Sequence, residues 1–246
     1  MSKFMMEETT KKVDMAIYEG LIDDTDYEGY TDEKPIIPFI SIRQKIVKDG
    51  DKIKKGFEDG WFCMKKTEPN IAEKLQNVTI ISSGKQRAYF SPEKTLICKS
   101  EDCITNQSGE LCAECPYEVN VWGKDGESPK CKEGRKLAII WNEEPYILVF
   151  GPGSLKAWAE FEYSRKKIRL KLGKRNIPAP LHFLEMDIRA QFTQNPKGDY
   201  NEIVFENVRL ISDPEKLKKM KEYHMLAVEM MPRATIESQY EDDIPF

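Results

Sequence analysis

The sequence predicts a mainly β fold with helices (β/α+β): a small antiparallel barrel with a cysteine-bearing insertion and a C-terminal helix. Three observations predict it. Short runs of β-branched and aromatic residues recur between turn signals. No strand–helix–strand alternation and no glycine-rich phosphate loop interrupts them. Five of the six cysteines fall between residues 98 and 131, so one segment is built differently from the rest.

The elements follow in order. Residues 1–33 mix acids with Tyr18, Tyr27 and Tyr30 and read as an acidic arm with a short helix at most. Lys34-Pro-Ile-Ile-Pro-Phe-Ile40 reads as the entry to the folded body. Asn77–Ile81 and Lys85–Phe90 flank Ser82-Ser83-Gly84 and read as a hairpin. In its second strand Lys85, Arg87 and Tyr89 share one face by the period of two. Thr95-Leu96-Ile97 leads as a strand into the cysteines. Arg135–Trp141 and Tyr146–Phe150 are split by Asn142-Glu-Glu-Pro145 and read as strand, turn, strand. Gly151-Pro-Gly153 then breaks the sheet. Ser154 is a good N-cap for a helix with Leu155, Trp158, Ala159 and Phe161 at helical spacing. Leu181–Thr193 and Tyr200–Ile211 read as two long strands joined at Asn195–Gly198. Ser212-Asp-Pro-Glu215 opens a last helix, with Pro in its first turn and Glu three after Ser. It runs to about Met230, and Pro232 ends it. A partly open barrel of the OB type accommodates this order most economically, although periodicity alone does not separate it from other β-barrels.

The chain has 246 residues, enough for one large domain or a domain with an insertion. No apolar run reaches membrane-span length, and Met1–Glu8 lacks the pattern of a secretory signal. The expected setting is a reducing cytoplasm, where clustered cysteines point to metal rather than disulfides. The net charge of −4 hides segregation. Residues 1–33 carry −7 and residues 237–246 carry −4, which leaves +7 on residues 34–236. A basic body between acidic ends suits a polyanion binder. Three segments are therefore expected: the arm 1–33, the domain 34–230 with its insertion 98–131, and a tail 231–246.

Cys112-Ala-Glu-Cys115 is a metal knuckle, with two thiolates on a tight turn. Cys98 ends a predicted strand and Cys131 precedes the next one. A structural zinc held by Cys98, Cys112, Cys115 and Cys131, one per chain, would close the insertion at its base. Cys103 in place of Cys98 is the competing ligand set. Four thiolates leave no open position for substrate, and the two histidines, His182 and His224, lie far along the chain. Cys63 reads as a buried small hydrophobe.

Arg165, Lys166, Lys167, Arg169, Lys171, Lys174 and Arg175 place seven bases in eleven residues. Trp158, Phe161 and Tyr163 come just before. Phosphates call for Lys and Arg, and unpaired bases call for flat rings. A solvated helix end over core aromatics would give the same pattern. Tyr89, Trp122 and Trp141 are further stacking candidates, as is Trp61. Lys85 and Arg87 are further phosphate candidates. No Asp/Glu/His cluster with nuclease spacing, phosphate loop or activated nucleophile is present in the sequence, so no catalysis is expected.

Glu241-Asp242-Asp243-Ile244-Pro245-Phe246 joins an acidic approach to an aromatic plug, a combination that a basic, hydrophobic pocket on a partner captures. This peptide closely resembles the acidic tip of bacterial single-stranded-DNA-binding proteins. Ile97-Cys98-Lys-Ser-Glu-Asp102, Cys112-Ala-Glu-Cys115-Pro116, Trp122-Gly123 and Pro129-Lys-Cys131-Lys-Glu133 resemble the cysteine segment of phage single-stranded-DNA-binding proteins. The resemblance implies an OB-fold with a zinc site whose four ligand positions match Cys98, Cys112, Cys115 and Cys131. It also implies sequence-independent coating of single-stranded DNA in bacteriophage DNA replication, recombination and repair, within the host cytoplasm. Asp242, Asp243, Ile244, Pro245 and Phe246 would recruit replication or recombination proteins. The chain departs from the bacterial pattern in lacking a long Gly/Pro/Gln linker and in carrying its acidic arm. A zinc-bearing accessory subunit of a nucleic-acid enzyme, or an RNA binder, is the alternative.

Overall fold

A computed structural model describes residues 37–44, 48–49, 52–53, 55–65, 67–91, 95–117, 129–172, 174–194 and 199–230. The predicted arm, Trp122 and the tail lie outside the described residues. Among those described, twelve strands are present: β1 (Phe39–Ile42), β2 (Lys48–Asp49), β3 (Lys52–Ile53), β4 (Phe62–Cys63), β5 (Lys74–Phe90), β6 (Leu96–Ser100), β7 (Cys131–Trp141), β8 (Glu144–Phe150), β9 (Arg169–Leu172), β10 (Arg175–Pro178), β11 (Leu184–Thr193) and β12 (Tyr200–Leu210). The α-helices among the described residues are α1 (Leu155–Arg165) and α2 (Pro214–Met230).

The main sheet runs β12-β11-β5-β7-β8-β1-β4, with β6 also on β5. It curls into a half-barrel. The sheet is mixed rather than wholly antiparallel, because β1 joins β8 in parallel, Phe39 opposite Ile147. The fold is thus mainly β with helices, as expected, and compatible with a barrel-like architecture.

The expected hairpin over residues 77–90 is one continuous 17-residue strand, β5. Ser82, Ser83 and Gly84 pair with Ala138, Leu137 and Lys136 of β7 instead of turning. A register shift between Ile80 and Ser82 absorbs the bend. β7 takes one edge of β5 from Thr79 to Tyr89. β11 takes the start of the other edge and β6 its end.

Asp187 on β11 explains how β5 and β12 both bend beside it. Asn77 and Asn207 adopt left-handed backbone, φ 58° and 52°, which Asn tolerates better than most residues. The Asp187 carboxylate accepts from the Asn77 N–H at 3.1 Å and the Asn207 Nδ2 at 2.8 Å, and pairs with Lys74 at 3.0 Å. Burial raises its pKa, but the Asn207, Asn77 and Lys74 interactions together outweigh that and hold it below its ordinary value.

β7 and β8 form the expected strand pair, with a tighter turn than expected. Asn142 and Glu143 both have positive φ, 51° and 67°, as a two-residue hairpin turn requires, and β8 begins at Glu144. α1 packs on β12. Trp158 and Phe161 meet Phe205 at 5.6 Å edge-on and 4.5 Å stacked. Ser154 precedes α1, yet its hydroxyl does not cap it and instead accepts from the Ile203 N–H at 2.9 Å. Gly153 is required there, since a Cβ would fall 2.7 Å from the Tyr200 ring. β11 starts three residues later than expected, after a 3-10 turn over Leu181–Phe183. At α2 the cap is Asp213, whose carboxylate accepts from the Glu215 N–H at 3.0 Å. Leu217 and Met220 bury the inner face of α2, and His224 bonds the Ile81 carbonyl at 2.6 Å.

Candidate metal centre and nucleic-acid interface

The strand register brings the outer cysteines together. Tyr89 of β5 is opposite Cys98 of β6 on one side and Cys131 of β7 on the other. Cys98 and Cys131 therefore share the face of β5 that carries Arg87 and Tyr89. The segment after β6 folds back over this face. The Asp102 carboxylate accepts from the Ile104 and Thr105 N–H groups at 2.8 and 2.9 Å. Thr105 and Leu111 form a bridge, and the Cys112 N–H reaches the Ile104 carbonyl at 2.8 Å. A 3-10 turn over Cys112–Glu114 then presents the knuckle, with the Cys115 N–H on the Cys112 carbonyl. The Tyr117 ring packs on Tyr89 at a 34° tilt, centroids 4.8 Å apart, and its carbonyl accepts from the Cys131 N–H at 3.1 Å.

The result is a cavity of about 20 Å³ lined by Cys98, Cys112, Cys115 and Cys131 together with Arg87, Ser100 and Asn106. One particle of ionic or water size fits such a volume. Cys103 is absent from its lining. It is half-buried with left-handed backbone, φ 64°. Among the described residues no group of three or more Cys, His, Asp or Glu side chains is arranged to hold a metal ion as it stands. The fit to zinc therefore rests on the donor set: four thiols around one small cavity, two from strands and two from a knuckle. Burial, the largest influence, pushes the Cys98 thiol up, and pushes Cys103 and Cys131 up to about 11. Burial thus disfavours the thiolate forms, an effect that a bound metal ion would reverse.

The basic stretch divides into structural and exposed parts. Arg165 clamps Glu162 at 2.7 Å and donates to the Ala179 carbonyl at 2.8 Å, tying α1 to the segment after β10. Lys166, Lys167, Arg169, Lys171, Lys174 and Arg175 are exposed. Residues 169–172 and 175–178 pair as the antiparallel strands β9 and β10 rather than forming a helix end. Leu170, buried, and Ile177, half-buried, pair across these strands and face inward, so Arg169 and Lys171 face solvent. Tyr163 is 67% exposed, with the Lys167 ammonium 4.6 Å above its ring.

The other aromatic candidates are placed differently. Trp158 and Phe161, 5% and 2% exposed, are core and present no face to a base. Trp141 packs on Tyr146 at 5.7 Å and Trp61 is half-buried. Tyr89 is half-buried under Tyr117. Lys85 is exposed and leans to Glu133 at 3.5 Å, whereas Arg87 lines the cysteine cavity. Cys63 is fully buried, as expected. The sequence reading missed two exposed rings: Phe192, 54% exposed near the end of β11, and Tyr117, with Lys130 5.4 Å over its ring. Phe192 continues the inward alternation of Ile188 and Ala190, so the period of two marks it as core and only the structure exposes it.

Comparison with protein-family models, with curated proteins and with solved structures finds no match to this chain.

Proposed function

We propose that this chain is a sequence-independent single-stranded-DNA-binding protein of the phage type. It coats exposed strands in replication, recombination and repair within a host cytoplasm. A single observation carries the reading: Tyr163 stands exposed with the Lys167 ammonium 4.6 Å from its ring, and Lys166, Arg169, Lys171, Lys174 and Arg175, all within the next twelve residues, are exposed as well. A ring for stacking next to a line of positive charge is what an unpaired strand needs and a duplex does not. The +7 body supports it, as does the resemblance of the cysteine segment and of Asp242–Phe246 to single-stranded-DNA-binding proteins. One structural zinc per chain, held by Cys98, Cys112, Cys115 and Cys131, stiffens the insertion next to β5. Those four thiolates would supply no open coordination position, so the metal has no chemical step to perform. Asp242, Asp243, Ile244, Pro245 and Phe246 serve as a docking peptide for replication or recombination proteins.

The test is a titration of the full chain against labelled single-stranded DNA, duplex and single-stranded RNA over a range of salt. The expected result is single-strand binding that weakens steeply with salt and occludes roughly 4–16 nucleotides. Equal binding to duplex overturns the reading. Tighter binding to RNA makes the protein an RNA binder, and no binding at all favours the accessory-subunit alternative.

A further inference from the structure

Arg87 is a strand residue within the basic body, residues 34–236, and its sequence position on β5 suggests a phosphate contact. The geometry places it elsewhere. Arg87 lines the same small cavity as Cys98, Cys112, Cys115 and Cys131. In the strand register it stands opposite Ser100 of β6 and Glu133 of β7, one step along the same face from Tyr89. Cys98 and Cys131 flank that Tyr89.

We infer that Arg87 is a positioning residue of the metal centre, the fixed counter-cation of a four-thiolate site. This rests on the proposed metal reading. A divalent cation with four thiolates carries a net charge of −2, and that charge would lie in a half-buried cavity. An uncompensated charge there is costly. A guanidinium in the cavity wall halves it without competing for the metal, because it has no lone pair to donate. Its N–H groups are the donors that thiolate sulfurs accept, and Asn106 and Ser100, also on the wall, extend the same role. A lysine keeps the charge but not the planar fork, and a glutamine keeps donors but not the charge.

The test uses the full chain, reduced and freed of metal, titrated with Co²⁺ alone and then with Zn²⁺ in competition. Wild type, Arg87→Lys and Arg87→Gln are compared by the visible and charge-transfer absorption of bound Co²⁺. Circular dichroism of each metal-free variant checks that it folds. The expected result is one Co²⁺ per chain in all three, with the same band positions. Arg87→Gln should bind 10–100-fold more weakly, and Arg87→Lys should fall between it and wild type. Unchanged affinity in Arg87→Gln overturns the inference while the metal reading survives. Wild type that takes up no Co²⁺ overturns both. A glutamine variant with normal metal affinity and lost single-strand affinity would return Arg87 to the nucleic-acid surface.

Discussion

The imidazole rings of His182 and His224 lie face to face, their centroids 4.1 Å apart and their planes 14° from parallel. This pair fastens α2 to the sheet, since His224 also bonds the Ile81 carbonyl of β5. Two stacked rings at that spacing cannot both carry charge cheaply. Burial first, then the nearness of His224 and Lys221, push the His182 pKa down from 6.5 to about 3.

Acid should therefore loosen this contact in a defined window. Above pH 6.5 the His182 ring is neutral in folded and unfolded chains alike. Between 6.5 and about 3 only the unfolded chain takes the proton, so stability falls as the pH drops through that window and levels off below it. His182→Phe keeps an aromatic ring and removes the titration. Its unfolding free energy, from denaturant titrations at each pH, should depend less on pH between 6.5 and 4 than that of wild type, by up to about 1.4 kcal/mol per pH unit. Parallel curves for the two proteins would show that the pair does not set the acid response.

Trp158, Phe161 and Tyr163 lie within six residues of each other, yet they should respond oppositely to substitution. Phe161→Ala empties a site stacked on Phe205 and should cost about 3–5 kcal/mol of stability, read by denaturant unfolding. Tyr163→Ala should leave the unfolding midpoint nearly unchanged and weaken single-strand binding by about 1–3 kcal/mol. A Tyr163→Ala protein that binds strands as wild type does would remove the ring from the interface.

The cations of the same stretch should divide in the same way. Replacing Lys166, Lys167, Arg169 and Lys171 with Ala should flatten the dependence of affinity on salt. If each contacts one phosphate, the logarithmic slope should fall by roughly 3 units at about 0.7 per contact. Arg165→Ala should instead lower stability, because it removes the Glu162 pair and the bond to the Ala179 carbonyl, and it should leave the salt slope alone. A slope unchanged by the fourfold variant would move the binding face elsewhere on the body.

Much of this division was legible in the chain, and the rest was not, for physical reasons. Trp158, Phe161 and Arg165 recur at three- and four-residue steps, which is one face of a helix. Tyr163 falls on the opposite face, so its exposure follows from the period of 3.6. The strand pair around Asn142 and Glu143 is local and was visible. The misreading of Ser82-Ser83-Gly84 has a clear cause. A strand continues through small polar residues when a neighbour offers an unbroken ladder, and β7 does so from Ala138 to Lys136. The parallel docking of β1 on β8 joins residues more than a hundred positions apart, and no local signal reports such a pairing. The cysteine grouping was legible because knuckle spacing and strand ends are local features. The place of Arg87 in the cavity wall was not, because it depends on β5 lying between β6 and β7.

The ligand set itself is open to a direct comparison of two cysteines. Cys115 lines the cavity and belongs to the knuckle; Cys103 lies outside the lining, with left-handed backbone and a thiol pushed up to about 11 by burial. Removing a true ligand of a structural site removes folding free energy along with the metal. Cys115→Ser should therefore lose zinc on dialysis and speed amide exchange across residues 98–117, where Asp102 and the Thr105–Leu111 bridge hold the turn in place. Cys103→Ser should keep one zinc per chain and exchange as wild type does. Single-strand affinity at the Tyr163 face should be largely retained in both, since that face is built by α1 and the β9–β10 strand pair. Metal analysis that finds zinc lost from the Cys103 variant and kept in a Cys98→Ser variant would exchange the two residues in the ligand set.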